Sequence, residues 1–232
     1  MIKKEDFYPL YKQIFESNGL SEYCTEETVD KMLAMGQRMV EVNEHMNLTA
    51  ITETADIIAK HLADSVISSK YMPKGATVCD VGCGGGFPTL PVALVRDDVK
   101  IVSLDSTAKK LGFVSDVAKE LGFNVTTLCG RAEEIAGNSA YRESFDVVTA
   151  RAVSSLDILS ELSGEKEISA FVGDTSVDMN TAKAAGNPAV LLYTVYFLSP
   201  LPLVMNLKSL PGKIALSAIP AIEATARGES VI

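Results

Sequence analysis

The sequence predicts an α/β protein, a parallel, doubly wound sheet preceded by a helical region over residues 1–70. Three observations carry that expectation. Between residues 76 and 151, short apolar runs rich in β-branched residues alternate with helical stretches, as strand–helix units of a parallel sheet require. The first run ends in a glycine-rich turn, Gly82-Cys83-Gly84-Gly85-Gly86. Ahead of it, apolar residues recur at the spacing of helices that bury one face.

Taken in order, residues 5–20 read as an amphipathic helix ended by Asn18-Gly19. Thr25, followed by Glu26, Glu27 and Thr28, opens a second helix with acids at its positive dipole end. Val29, Met32, Leu33, Met39 and Val40 form its apolar face, with the methionines as core fillers. Asn47-Leu48-Thr49-Ala50-Ile51 reads as a helix-to-helix turn, and Lys60-His61-Leu62-Ala63-Asp64-Ser65 as a helix with a polar stripe. A lone His61 is more often a structural hydrogen-bonder than a catalyst.

Residues 76–81 are the first strand, with an acid at Asp80. The glycines after it admit a ligand against bare backbone, and Pro88 and Pro91 suit the first turn of a helix that continues to Val95. Strands follow at 99–105, 124–129 and 145–150, with a helix at 107–121. Gly82, Asp105, Glu133 and Arg151 all fall at carboxyl ends of strands, where open α/β sheets bind ligands.

Spacing narrows the ligand. A dinucleotide fingerprint starting at Gly82 would need glycine where Phe87 stands, and one starting at Gly84 would need it at Thr89. No Lys-Ser/Thr pair follows, so a phosphate-cradling loop is excluded as well. What remains is hydrophobic-x-Asp-hydrophobic-G-x-G-x-G, running through Asp80, Gly82, Gly84 and Gly86, with a second acid, Asp105, at the tip of the next strand. An acid there suits a ribose diol. The pattern resembles the S-adenosylmethionine (SAM) site of class I methyltransferases, a Rossmann-like fold; that resemblance implies that Asp80 faces the methionine end and Asp105 the ribose.

Composition bounds the rest. With 232 residues, 47% of them hydrophobic and 22% charged, the chain can bury one α/β domain plus attachments. The opening Met1-Ile2-Lys3-Lys4-Glu5-Asp6 lacks a signal-peptide core, so a cytoplasmic protein away from membranes is expected. Cys24, Cys79, Cys83 and Cys129 contain no C-x-x-C pair and read as free thiols, with no metal centre. The net charge of −9 argues against tight, nonspecific binding to RNA, although a local basic patch is compatible with it.

Six segments, N-L-T-A-I, H-L-A-D-S, D-V-G-C-G-G-G-F-P-T-L-P, L-D-S-x-x-K-K, G-R-A-E-E and F-D-V-V-T-A-R-A-V, occur in this order. Together they resemble the bacterial 16S rRNA (guanine-N7)-methyltransferase G family, also called glucose-inhibited division protein B, over about residues 1–162. The resemblance implies SAM contacts at Gly82, Phe87, Ala132, Glu133 and Arg151, and a catalytic set in which Arg151 holds polar groups of substrate or cofactor while His61 and Asp64 line the mouth of the site. It also implies methyl transfer to N7 of one guanine in 16S rRNA, by a monomer acting on the small ribosomal subunit and not on DNA.

After Ser160-Glu161-Leu162 the resemblance stops, which makes the C-terminal part atypical and incomplete for that family. About residues 166–190 instead resemble the fourth motif of haloacid-dehalogenase-like phosphatases, in which carboxylates matching Asp174 and Asp178 help bind Mg²⁺. The nucleophile motif D-x-D-G-T is missing, and Leu104-Asp105-Ser106-Thr107 lacks its second aspartate. The alternative to a methyltransferase is therefore a noncatalytic fusion product or a fragment of an Mg²⁺-dependent phosphatase. Residues 168–172 are placed to dock as a fifth parallel strand, with Asp174 at the same edge as Asp105 and Arg151. Residues 191–232, apolar at first and then broken by Pro200, Pro202, Pro211 and Pro220, stay unassigned. The expected organisation is thus 1–70 helical, 71–162 cofactor-binding, 163–190 foreign segment, and 191–232 tail.

Overall fold

The computed structural model describes residues 2–70, 72–151, 169–173 and 189–193. Its first helix, α1 (Lys4–Ser17), places Phe7, Tyr11 and Phe15 four residues apart, so all three fall on one face and are fully buried. Tyr11 stacks between the other two rings, at 5.6 Å from Phe7 and 3.8 Å from Phe15, and its hydroxyl donates to the Tyr23 carbonyl at 3.1 Å. A 3-10 turn, Ser21–Tyr23, leads to α2 (Glu26–Met46). Thr25 caps α2 by accepting the Thr28 N–H at 3.3 Å, and the helix stops where Asn47 turns left-handed (φ 49°).

Residues 54–69 form a continuous helical segment in three parts: α3 (Thr54–Asp56), a π-helical stretch (Ile57–Ala63) and α4 (Asp64–Ser69). The wider π winding adds a residue to each turn, which lets Ile57, Ile58, His61, Leu62 and Ala63 all be buried. The helical region packs chiefly on the helices that cover the sheet, α2 on α5 (Thr89–Val95) and α6 (Ala108–Leu121), and α4 on α5. The helical region thus meets the sheet largely through another helical layer.

The strands are β1 (Thr77–Val81), β2 (Lys100–Asp105), β3 (Val125–Cys129), β4 (Val147–Arg151), β5 (Ser169–Gly173) and β6 (Ala189–Tyr193). They hydrogen-bond in the order β3-β2-β1-β4-β5-β6, and every pair is parallel. This is the Rossmann-like, doubly wound order, and it reverses between β1 and β4. The short helix α7 (Ala132–Ala136) follows β3. β5 lies against β4, from Val148 opposite Ser169 to Arg151 opposite Val172, and β6 against β5. Ile168, Asp174, Asp178 and residues 194–232 lie outside the described residues, so the expectations about Mg²⁺ and the tail do too.

Among the described residues, Cys79 and Cys83 are buried free thiols, Cys24 is half-buried, and Cys129 is exposed on β3, which ends the sheet on one side. No described helix is long and apolar enough to cross a membrane.

Candidate functional site

The glycine turn is held open by backbone contacts. Gly82, at φ 70°, donates its N–H to the Leu104 carbonyl at 2.7 Å, so the turn leaves β1 against the end of β2. Gly86 has φ +85°, and a Cβ there would meet Leu90 Cδ1 at 2.7 Å and Cγ at 2.9 Å. Only glycine lets the chain pass this close to α5.

Asp105 ends β2 and stays largely buried. Its Oδ2 accepts the Gly84 N–H at 3.0 Å and its Oδ1 accepts the Thr107 N–H at 2.8 Å. One carboxylate thereby ties the glycine turn to the start of α6. Beside it, a cleft of about 430 Å³ opens at the carboxyl ends of β1, β2 and β3, within the usual range of small-molecule pockets. Gly82, Asp105, Ala132 and Glu133 line it, as does a set not singled out from the sequence: Val81, Leu104, Ser106, Thr107, Lys110, Gly130 and Arg131. The signal for Lys110 and Arg131 was available, since both lie inside the motifs L-D-S-x-x-K-K and G-R-A-E-E.

Asp80 sits beneath this cleft and does not line it. It is 1% exposed; its Oδ2 accepts from the Thr89 hydroxyl at 2.6 Å and its Oδ1 from the Thr149 hydroxyl at 3.1 Å. Thr89 is also 2.8 Å from the Ser103 hydroxyl. Strand geometry explains the arrangement, because Ser103 and Thr149 are Asp80's register neighbours on β2 and β4 and project from the same face, whereas Val81 projects from the other. Burial pushes the Asp80 carboxyl up to about 6, opposed by the hydrogen bonds from Thr89 and Thr149.

His61 and Asp64, expected at the mouth of the site, are only 5% and 3% exposed and do not line the cleft. The π winding turns this part of the chain inward. Asp64 opens α4, one turn after His61.

His61 is instead the hub of a second cluster. Its ring stacks on Phe87, with centroids 4.6 Å apart and planes 18° from parallel. Its Nε2 is 3.0 Å from the Thr49 hydroxyl, and its Nδ1 is 2.7 Å from Arg151 Nη2. Thr49 is clasped by Asn43, which accepts the Thr49 N–H at 2.9 Å and donates to its carbonyl at 2.9 Å. Burial, with Arg151 and Lys60 nearby, lowers His61 to about 3, so the ring is neutral at ordinary pH. Arg151 closes β4, and its Nη1 is buried with no hydrogen-bond partner among the described residues.

The fold thus gathers the sequence-predicted residues into two groups. Gly82, Asp105, Ala132 and Glu133 border the cleft, while His61, Phe87 and Arg151 form the stacked cluster, joined by Thr49, which was noted only as part of a motif. Gly84 and Gly86 shape the turn between them. Among the described residues no group of three His, Cys, Asp or Glu is arranged to hold a metal ion.

The family model for rRNA small subunit methyltransferase G matches residues 28–172. The ribosomal RNA small subunit methyltransferase G of Lactobacillus helveticus is 45% identical over 155 residues, covering 65% of each chain. That of Clostridium perfringens is 40% identical over 158 residues, covering 67% of this chain and 65% of the relative. The chain spans just under two thirds of the length of these curated relatives. Among solved structures, a SAM-dependent methyltransferase from Aquifex aeolicus aligns with a TM-score of 0.39 at 17% identity, over 55% of this chain and 65% of that one. With the family model matched over more than half of its residues, this chain belongs to the rRNA small subunit methyltransferase G family.

Proposed function

We propose that the chain binds S-adenosylmethionine in the cleft at the ends of β1, β2 and β3, and directs its methyl group to N7 of a guanine in 16S rRNA of the small ribosomal subunit. The observation that carries this reading is the position of Asp105, a carboxylate at the tip of β2 that borders the cleft while fastening the glycine turn through Gly84. A carboxylate oxygen has acceptor capacity left after one N–H, so Asp105 can take a ribose hydroxyl as well. Glu133, after β3, offers a second acceptor on one side of Asp105, and Gly82, at the end of β1, leaves bare backbone on the other. The donor set fits the cofactor.

When bound, the cofactor supplies an electrophilic sulfonium methyl. The chain's own task is to bind and align. Guanine N7 carries a lone pair and no proton, so no general base is needed, which agrees with a His61 that is buried, neutral and occupied on both ring nitrogens. Holding N7 in line at about 3 Å is a proximity effect. Asp80 acts from below by fixing Thr89 at the start of α5 and Thr149 on β4. Lys110 and Arg131 give the cleft cationic groups for RNA phosphates in a chain of net charge −9. Action as a monomer in the cytoplasm belongs to the same proposal.

Calorimetric titration with S-adenosylhomocysteine tests the cofactor half. Asp105→Ala is expected to weaken binding by about 1.5 to 3 kcal/mol, the worth of hydrogen bonds to a charged group. Equal affinity in the variant counts against the site. Labelled cofactor and small-subunit RNA, followed by mapping of the product, tests the rest; label on another base, on DNA or on protein overturns the assignment. The phosphatase alternative gains nothing from the described residues, because Asp105 is followed by Ser106 and Thr107 and is committed to the glycine turn.

A further inference from the structure

The cluster around His61 fixes a proton position. Arg151 has only donors, so the ring nitrogen facing it, Nδ1, must present a lone pair. A neutral imidazole then carries its proton on Nε2, and the Thr49 hydroxyl 3.0 Å away must accept it. That hydroxyl also accepts the Ile51 N–H at 3.0 Å, and the Thr49 backbone is held from both sides by Asn43. The chain of donors therefore runs in one direction, from Arg151 to His61 to Thr49, and every link is set by the next. At the other end of the guanidinium, Arg151 Nη1 is buried without a partner among the described residues. A buried guanidinium N–H left in that state is costly, and a ligand oxygen beside it relieves the cost.

We propose that Thr49 is a positioning residue: clasped by Asn43, it holds His61 with its Nδ1 lone pair toward Arg151, so that Arg151 is braced through one amino group and offers the other to an oxygen of the bound cofactor. This rests on the SAM reading above and deepens it. Without the Thr49 hydroxyl, the Nε2 proton is buried with no acceptor. The ring then shifts to find one, and Arg151 loses its brace.

The test combines binding and spectroscopy on the full chain. S-adenosylhomocysteine affinity is measured for wild type, Thr49→Val, Thr49→Ser, Arg151→Gln and Thr49→Val/Arg151→Gln, and imidazole ¹⁵N spectra report the His61 tautomer. Thr49→Val is expected to bind about tenfold more weakly and Thr49→Ser within about twofold of wild type. In the Arg151→Gln background, Thr49→Val should cost nothing further, the signature of action through Arg151. The spectra should show Nε2–H in wild type and Thr49→Ser, and a shifted ring in Thr49→Val. Binding by wild type with no Thr49→Val loss, or with a loss undiminished beside Arg151→Gln, overturns the positioning role alone. Wild type that binds no S-adenosylhomocysteine overturns the cofactor reading and the positioning role with it. A wild-type spectrum showing Nδ1–H contradicts the arrangement by itself, even if Thr49→Val does not fold.

Discussion

At the scale of single residues, Asp80 and His61 are buried ionisable groups whose titrations oppose one another. Asp80 rises from 3.8 to about 6 on folding, so between those values the folded chain holds a proton that the unfolded chain has released, and stability is lost as pH rises. His61 falls from 6.5 to about 3, so in that window the unfolded chain holds a proton that the folded one lacks, and stability is lost as pH falls. From about pH 4 to 6 the two contributions largely cancel. Asp80→Asn removes one of them while keeping groups that can pair with the Thr89 and Thr149 hydroxyls. Its stability relative to wild type is expected to be about 2 kcal/mol more favourable at pH 7 than at pH 4. Urea denaturation of both proteins across this range measures the difference, and parallel curves would refute the burial argument.

Among the elements, the glycine turn and α6 use glycine for opposite reasons. Gly86 combines a positive φ with a space already filled by Leu90 and Val114, and Leu90 is itself 1% exposed. Gly86→Ala should therefore destabilise the protein by about 2 to 4 kcal/mol, from left-handed strain together with overpacking. Gly112 lies inside α6 with nothing within 4 Å of an added Cβ. Gly112→Ala should stabilise by about 0.5 to 1 kcal/mol through helix propensity and a less disordered unfolded chain. Denaturation midpoints of the two variants should fall on opposite sides of wild type; a shared direction would mean that the local geometry does not govern them.

For the whole molecule, the decisive feature is that β4, which carries Thr149 and Arg151, is an interior strand bordered by β1 and β5. A chain ended after residue 168 would leave β4 with an unpaired edge beside both functional groups. We expect it to melt at a lower temperature and to associate in solution, as read by calorimetry and light scattering. A shortened chain that stays monomeric with an unchanged melting temperature would show that β5 contributes nothing to the sheet.

Much of this was legible in the amino acids. The strands, the glycine turn and the order of the six motifs follow from local preference and spacing, because a turn that needs positive φ selects glycine, and a parallel sheet needs apolar runs separated by helices. Asp105, at the tip of β2, was found by position alone. The sequence could not say that Asp80 would be roofed over by Thr89 and Thr149, since that depends on which strands become register neighbours across 69 positions of chain. Nor could it show that residues 57–63 would wind as a π-helix and carry His61 inward, or that Thr49, His61, Phe87 and Arg151 would meet, because those contacts arise only when α2, the π-helical stretch, the glycine turn and β4 are packed together. Local chemistry determined the pieces; burial and long-range packing decided which oxygens and nitrogens face one another, and so which groups are left to meet a ligand.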